Sequence, residues 1–173
     1  MSNQSAVNVI RGQFEQMKGW YEGTMADVTD ELAQYDPPGL VSPIGAQAAH
    51  VVTGMDYFLV GLAAGKQPLM ASSFAEKNGI SELPPGGGDW GDWGTRVKVD
   101  LSAFDAYAKA VFAEVDTYLG SISDADLQEK KEFGGAGEQT VGWALDIIML
   151  NTYSHVGEIS AIKGMKGLKG YPF

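Results

Sequence analysis

The chain contains no cysteine and only two histidines in 173 residues. Without cysteine there are no disulfides, no thiolate zinc site and no cysteine nucleophile, and the composition suits a reducing compartment. Two imidazoles also fall short of the three protein ligands that catalytic zinc centres commonly use. Basic residues are scarce: 12 Lys and Arg stand against 22 Asp and Glu, giving a net charge of −10 and a pI near 4.5. Such a surface repels a phosphate backbone, so no nucleic-acid partner is expected. The one basic run, KGMKGLKGY with Lys163, Lys166 and Lys169, reads as cations complementing a helix C-terminus, in preference to an anion-binding tail. The motifs HExxH and GxSxG are absent too.

Long apolar runs are missing as well. The opening MSNQSAVNVIRGQFEQ has no basic segment followed by an apolar core, so it does not read as a secretory signal. The stretch IGAQAAHVVTGMDYFLVGLAAG is interrupted by His50, Asp56 and several glycines, which suits a buried bundle helix and not a membrane span. The expectation is a soluble, cytoplasmic protein whose residues 1–173 form one domain.

What is present is helical periodicity. Val7, Ile10, Phe14, Met17, Tyr21, Met25, Val28 and Leu32 recur at intervals of three and four, predicting one long first helix ended by Asp36-Pro37-Pro38-Gly39. Gly12, Gly19 and Gly23 weaken it by about 1 kcal/mol each where exposed, so packing must hold it. Ser42-Pro43 predicts the start of a second helix, with Ser42 as its cap, a stripe from Ile44 to Leu62, and Gly65 closing it. Residues 66–99, including ELPPGGGDWGDWG, read as a long crossover without regular structure. Asp100 or Ser102 caps a third helix with Phe104, Tyr107, Val111, Val115 and Tyr118 inward, stopped by Gly120. SDADLQ suits a helical turn, KKEFGGAGEQ a loop, and Thr140 caps a fourth helix running to about Lys163. The predicted class is all-α, a four-helix bundle with a long crossover between helices two and three and no sheet.

The histidines fall on two of these helices. Asn151, His155 and Glu158 lie at i, i+4 and i+7 on the fourth. His155 lies within about 40° of the centre of the stripe Val141, Leu145, Ile148, Thr152, Ile159 and Ile162, so it points into the bundle. His50 sits roughly 130° from the apolar centre of helix two, beside Gln47, Gly54, Tyr57 and Gly61, as a boundary residue. From the residues alone, a hydrogen-bonded core histidine is favoured over a metal ligand. Trp90 and Trp93, flanked by Asp89 and Asp92, read as pinning the long loop to the bundle in preference to forming a lid.

The segments SPIGAQAAHVVTGMDYFLVGL and LNTYSHVGEISAIKGMKGLKG resemble the DinB-like (DinB/YfiT-like) family. The resemblance implies a four-helix bundle, often dimeric, that in many members holds zinc or nickel between three histidines. One comes from helix two and two come as HxxxH from the last helix. Some members are thiol-dependent S-transferases. Carried onto this chain, the ligands fall at His50, Asn151 and His155, and Asn151 stands where the family has its first HxxxH histidine. A carboxamide offers zinc or nickel only a weak neutral oxygen. Glu158 takes the place of a second-layer partner or proton acceptor. The implied function is a metal-dependent transferase or hydrolase acting on a small-molecule substrate. The alternative is a metal-free binding or stress-associated bundle with a degenerate His-Asn-His site. Trp143, Met149, Leu150 and Tyr153 lie off the core stripe of helix four, and a helix apolar all round is buried or sits in an interface, here that of the implied homodimer.

Overall fold

A computed structural model describes residues 5–86 and 90–173. The first helix starts as its sequence demands: the Ser5 side chain accepts from Asn8 N, and the Asp124 carboxylate accepts from Ala6 N and Val7 N at 3.1 and 2.9 Å. Four otherwise orphaned N–H groups at a helix start explain why a distant carboxylate is drawn there. This helix, α1 (Ala6–Met25), buries Val7, Phe14, Met17 and Tyr21 as its periodicity requires.

It does not continue to Leu32. The chain turns after Met25, and Thr29 caps a separate short helix, α2 (Asp30–Ala33), by accepting from Leu32 N at 3.2 Å. Lys163, 1% exposed, donates to the Thr24 carbonyl at 2.7 Å and pairs with the Asp27 carboxylate. A cation at the open carbonyl end of α1 stabilises the break. Leu32 remains a core residue, packed with Ile44, Ile159 and Ile162. Periodicity therefore located the buried side chain but not the turn in front of it.

The second bundle helix, α3 (Ile44–Met55), is entered through Pro43 with no side-chain cap; the Ser42 carbonyl instead accepts from Gln47 Nε2 at 2.8 Å. It continues as a π-helical segment, Asp56–Ala63, and ends at Gly65, whose φ of +68° favours glycine. Asp56 is fully buried and accepts from Leu69 N, Met70 N and the Tyr107 hydroxyl at 2.8–2.9 Å. One carboxylate thus ties the start of the crossover to the bundle. Burial and this carboxylate both raise the Tyr107 phenol.

The crossover is more regular than glycine and proline suggest. It holds a 3-10 turn at Leu69–Ala71, a bridge between Ile80 and Val99, and a helix, α4 (Trp90–Arg96). Asp100 caps α5 (Leu101–Ser121), accepting from Ser102 N and Ala103 N, and the helix passes through Gly120. After a 3-10 turn at Asp126–Gln128 comes a two-stranded antiparallel hairpin, β1 (Lys130–Glu132) with β2 (Glu138–Thr140), in place of the predicted loop. Three residues per strand around a glycine-rich turn leave too little alternation to read as strands. Lys131 anchors the hairpin by donating to the Ala63 carbonyl at 2.6 Å, and Phe133 is fully buried. Thr140 caps α6 (Val141–Met165), accepting from Trp143 N.

α1, α3 with its π-helical extension, α5 and α6 form the bundle around a main core, with the smaller Leu32–Ile44–Ile159–Ile162 cluster beside it, and the class is all-α with a minor hairpin. Residues 171–173 fold back across α1 and α6: Pro172 sits on Gly23, and Tyr171 and Phe173 pack on Trp20. Any side chain at Gly23 would strike Pro172, since a Cβ there would lie 2.6 Å from it. The three predicted tail cations are all engaged: Lys163 at α1, Lys166 over the Tyr35 ring at 4.0 Å, and Lys169 on the Pro172 carbonyl. Lys163 thus serves the C-terminus of α1 and not that of its own helix. No described helix is long and apolar enough to cross a membrane.

Candidate functional site

α3 and α6 pack side by side, and the polar residues singled out in the sequence meet along their contact. His50 and Asn151 approach at 3.4 Å between Nε2 and Nδ2. The rings of His50 and His155 lie 4.9 Å apart, centroid to centroid, at 73°. Glu158 binds His155 Nδ1 through Oε2 at 2.9 Å, and Gln47 Oε1 approaches the same nitrogen at 3.3 Å. Both partners of Nδ1 are acceptors, so a neutral His155 carries its proton there and keeps the lone pair on Nε2. Gln47 was not among the expected site residues. Its position one turn before His50 was the signal the sequence offered, whereas its burial, 3% exposed, emerges only from the fold.

His50 is half-buried, the boundary residue that its wheel position predicts, although most of the rest of α3 is buried. Burial, reinforced by the neighbouring His155, pushes the His50 imidazole down to about 4. It is therefore neutral across the physiological range. Its Nδ1 is buried and without a hydrogen-bond partner. Turning the Asn151 amide would exchange donor for acceptor at Nε2 but would leave Nδ1 equally unpaired. His155 is half-buried too, with 21% of its side chain exposed, so it lies at the rim and not deep in the bundle.

The two tryptophans of the crossover divide their roles. Trp93 is 2% exposed and donates its Nε1–H to the Glu82 carbonyl at 3.1 Å, which pins α4. Trp90 packs edge-on against His50, ring centres 4.6 Å apart, and remains 39% exposed. The loop-pinning expectation holds for Trp93, whereas Trp90 walls the site. Asp89 lies outside the described residues.

Next to His50 and Asn151 opens a cleft of about 550 Å³, walled by Tyr57, Phe58, Trp90, Phe133, Trp143 and Ile147 among others. The π-helical segment brings Tyr57 and Phe58 to it, and Phe58 stacks on Phe133 of the hairpin with rings 6.0 Å apart. A smaller recess of about 140 Å³, lined by Gln47, His50, Trp90 and His155, lies on the other side of Trp90. Residues expected at a dimer surface are used within the chain: Trp143 packs on Phe133, Tyr153 on Trp20, and Met149 is 8% exposed. Leu150, the fourth of them, is 55% exposed, and Ile147 beside it is 39% exposed.

A bundle with an aromatic cleft ending on a histidine–carboxamide cluster is the class of structure these observations define. The family model of the DinB superfamily matches residues 13–159, and the chain belongs to that superfamily. A solved structure described as the conserved protein of locus from Enterococcus faecalis is similar, with a TM-score of 0.77 and 19% sequence identity. The likeness covers 92% of this chain and 96% of that one, and at this identity it concerns the fold alone. No curated protein matches the chain.

The donor set does not fit a resident zinc or nickel ion. Among the described residues no group of three His, Cys, Asp or Glu side chains converges as a metal site would require. The third position belongs to Asn151, whose amide nitrogen faces the very His50 nitrogen that a metal would need. Glu158 is turned onto His155 Nδ1 and is no substitute for the missing imidazole.

Proposed function

We propose that this protein binds a small, predominantly apolar molecule in the α3–α6 cleft, with one polar group of that molecule held by His50 and Asn151. Binding sites for small molecules are concave, largely apolar, on the order of 300–1,000 Å³, and carry a few convergent polar groups. The observation that carries the reading is the aromatic cleft of about 550 Å³ closing on a neutral imidazole and a carboxamide. Neither group is fully satisfied by the protein: their mutual contact is long, and His50 Nδ1 has no partner.

One observation favours a second reading, the metal-dependent enzyme acting by S-transfer or hydrolysis. Glu158 and Gln47 hold His155 by Nδ1, as carboxylates and amides hold metal-ligating histidines in many proteins. The chemistry of Asn151 counts against it.

The two readings separate in one set of titrations on freshly purified protein. Indole, benzyl alcohol and benzamide are titrated while tryptophan fluorescence is followed, since Trp90 and Trp143 line the cleft. Zinc and nickel are titrated into the native chain and into Asn151→His. The binding reading expects saturable quenching by at least one probe, weakened in Asn151→Ala, and tight metal only in Asn151→His. Near one tightly held metal per native chain would replace it with the enzyme reading.

A further inference from the structure

A neutral His50 carries one ring proton, on Nδ1 or on Nε2, and the choice decides what Asn151 presents to the cleft. Nδ1 is buried without a partner, and Nε2 lies 3.4 Å from the Asn151 amide. With the proton on Nδ1, an N–H would be sealed from water with no acceptor in reach. With the proton on Nε2, only a lone pair is left unpaired at Nδ1, and the N–H is bonded. Buried N–H groups without an acceptor are rarer in folded proteins than acceptors without a donor, so the Nε2 proton is favoured. Asn151 then offers its carbonyl oxygen to Nε2, because an amide N–H cannot face another donor. A half-turn of the amide, which exchanges two atoms of nearly equal size, achieves this. Asn151 is half-buried and lines the main cleft, not the smaller recess. Its two amide N–H bonds are therefore left to donate to whatever enters.

The rest of the wall has the same polarity. The indoles of Trp90 and Trp143 can only donate. The Thr53 hydroxyl is spent on the Ala49 carbonyl at 2.6 Å. Among the described residues lining the cleft there is no Asp, Glu, Gln or Ser to accept, and the Tyr57 hydroxyl is the one group that can do either. Apolar surface is within a ligand's reach as well: Tyr57, Leu83, Trp90 and Ile147 are 42%, 47%, 39% and 39% exposed.

We propose that the cleft recognises a neutral carbonyl compound, an aryl or alkyl ketone, ester or lactone. Its oxygen accepts from the Asn151 amide while its apolar body lies on Tyr57, Trp90 and Ile147. His50 is a positioning residue, whose Nε2–H holds the carboxamide with its donors toward the ligand. This rests on the small-molecule reading of the cleft and names the group that the cleft selects.

The test combines calorimetric titration with long-range ¹H–¹⁵N NMR of the imidazoles. The probes are acetophenone, its hydrocarbon isostere α-methylstyrene, and indole, which can only donate. Acetophenone is expected to bind one per chain, about fivefold more tightly than either of the others. Asn151→Leu should erase the ketone's advantage over the hydrocarbon and leave α-methylstyrene within about twofold of its native affinity. The His50 ring should show its proton on Nε2 at pH 7. A proton on Nδ1, a ketone bound no more tightly than the hydrocarbon or indole, or an advantage that survives in Asn151→Leu would each overturn this inference. Saturable binding of the hydrocarbon in those cases would leave the small-molecule reading standing, whereas no binding of any probe would sink both.

Discussion

Protonating His50 is the sharpest perturbation available at the candidate site. Its imidazole is pushed from 6.5 down to about 4, first by burial and then by the adjacent His155. The unfolded chain therefore binds the proton more readily than the folded one whenever the pH lies below the ordinary value. The folded state is unaffected above about pH 6.5 and loses stability as the pH falls from there toward 4. The full shift corresponds to at most about 3 kcal/mol, and about 2 kcal/mol of it is lost between pH 7 and pH 5. For a chain of this size that amounts to roughly 4–8 °C in Tm. Other groups titrate over the same range, so the quantity to measure is a difference. Urea unfolding at pH 7 and pH 5 is compared for the native protein and His50→Gln, with the His50 ring protons followed by NMR. The variant should lose about 2 kcal/mol less than the native chain on acidification. A His50 titration midpoint near 6.5, or an identical pH response in the variant, would refute the argument that this ring is desolvated.

Two further substitutions test the framework that positions the site. Lys163→Met removes the cation from the carbonyl end of α1, leaving the Thr24 carbonyl without its buried donor and the half-exposed Asp27 without its partner; a loss of about 2 kcal/mol by urea unfolding is expected. An unchanged midpoint would mean that the α1–α2 turn holds without this contact. Gly79→Ala should destabilise the protein by several kcal/mol, because φ is +73° and a Cβ would lie 2.4 Å from Phe104 N, a backbone atom that cannot move alone. Gly12→Ala, where nothing lies within 4 Å, is the control and should be neutral or slightly stabilising.

Helix caps and stripes were legible in the sequence wherever a local interaction decides the structure. Asp100 and Thr140 cap the helices they were expected to cap, and Gly65 ends the second bundle helix. The failures at the α1–α2 break, the crossover and the site share a cause, which is that a distant residue settles the matter. The break after Met25 depends on Lys163, which lies 139 residues from its partner Thr24. The start of the crossover depends on Asp56 reaching Leu69, Met70 and Tyr107. At the site, the i, i+4, i+7 spacing aligned Asn151, His155 and Glu158 on one helix, but nothing local in α3 disclosed that His50 faces them. Only the packing of α3 on α6 and the edge of Trp90 remove that ring from water. The same holds for Phe133, whose burial beneath a short hairpin has no sequence pattern to announce it.

Charge decides which kind of occupant the His50 cleft can take. Among the described residues lining the His50 cleft there is no Asp, Glu, Lys or Arg. Its polar end consists of an imidazole held neutral by burial and an uncharged amide. The nearby carboxylate, Glu158, is spent on His155 Nδ1 with about half of its side chain in water. An anionic or cationic ligand in this cleft would be desolvated against groups that return only neutral hydrogen bonds, and an unpaired buried charge is far costlier than an unpaired hydroxyl or amide. The cleft should therefore select neutral molecules, with a carbonyl, hydroxyl or amide as the polar group. A gain of metal binding in Asn151→His accompanied by loss of the neutral probes would show that both occupy the His50 end of the cleft.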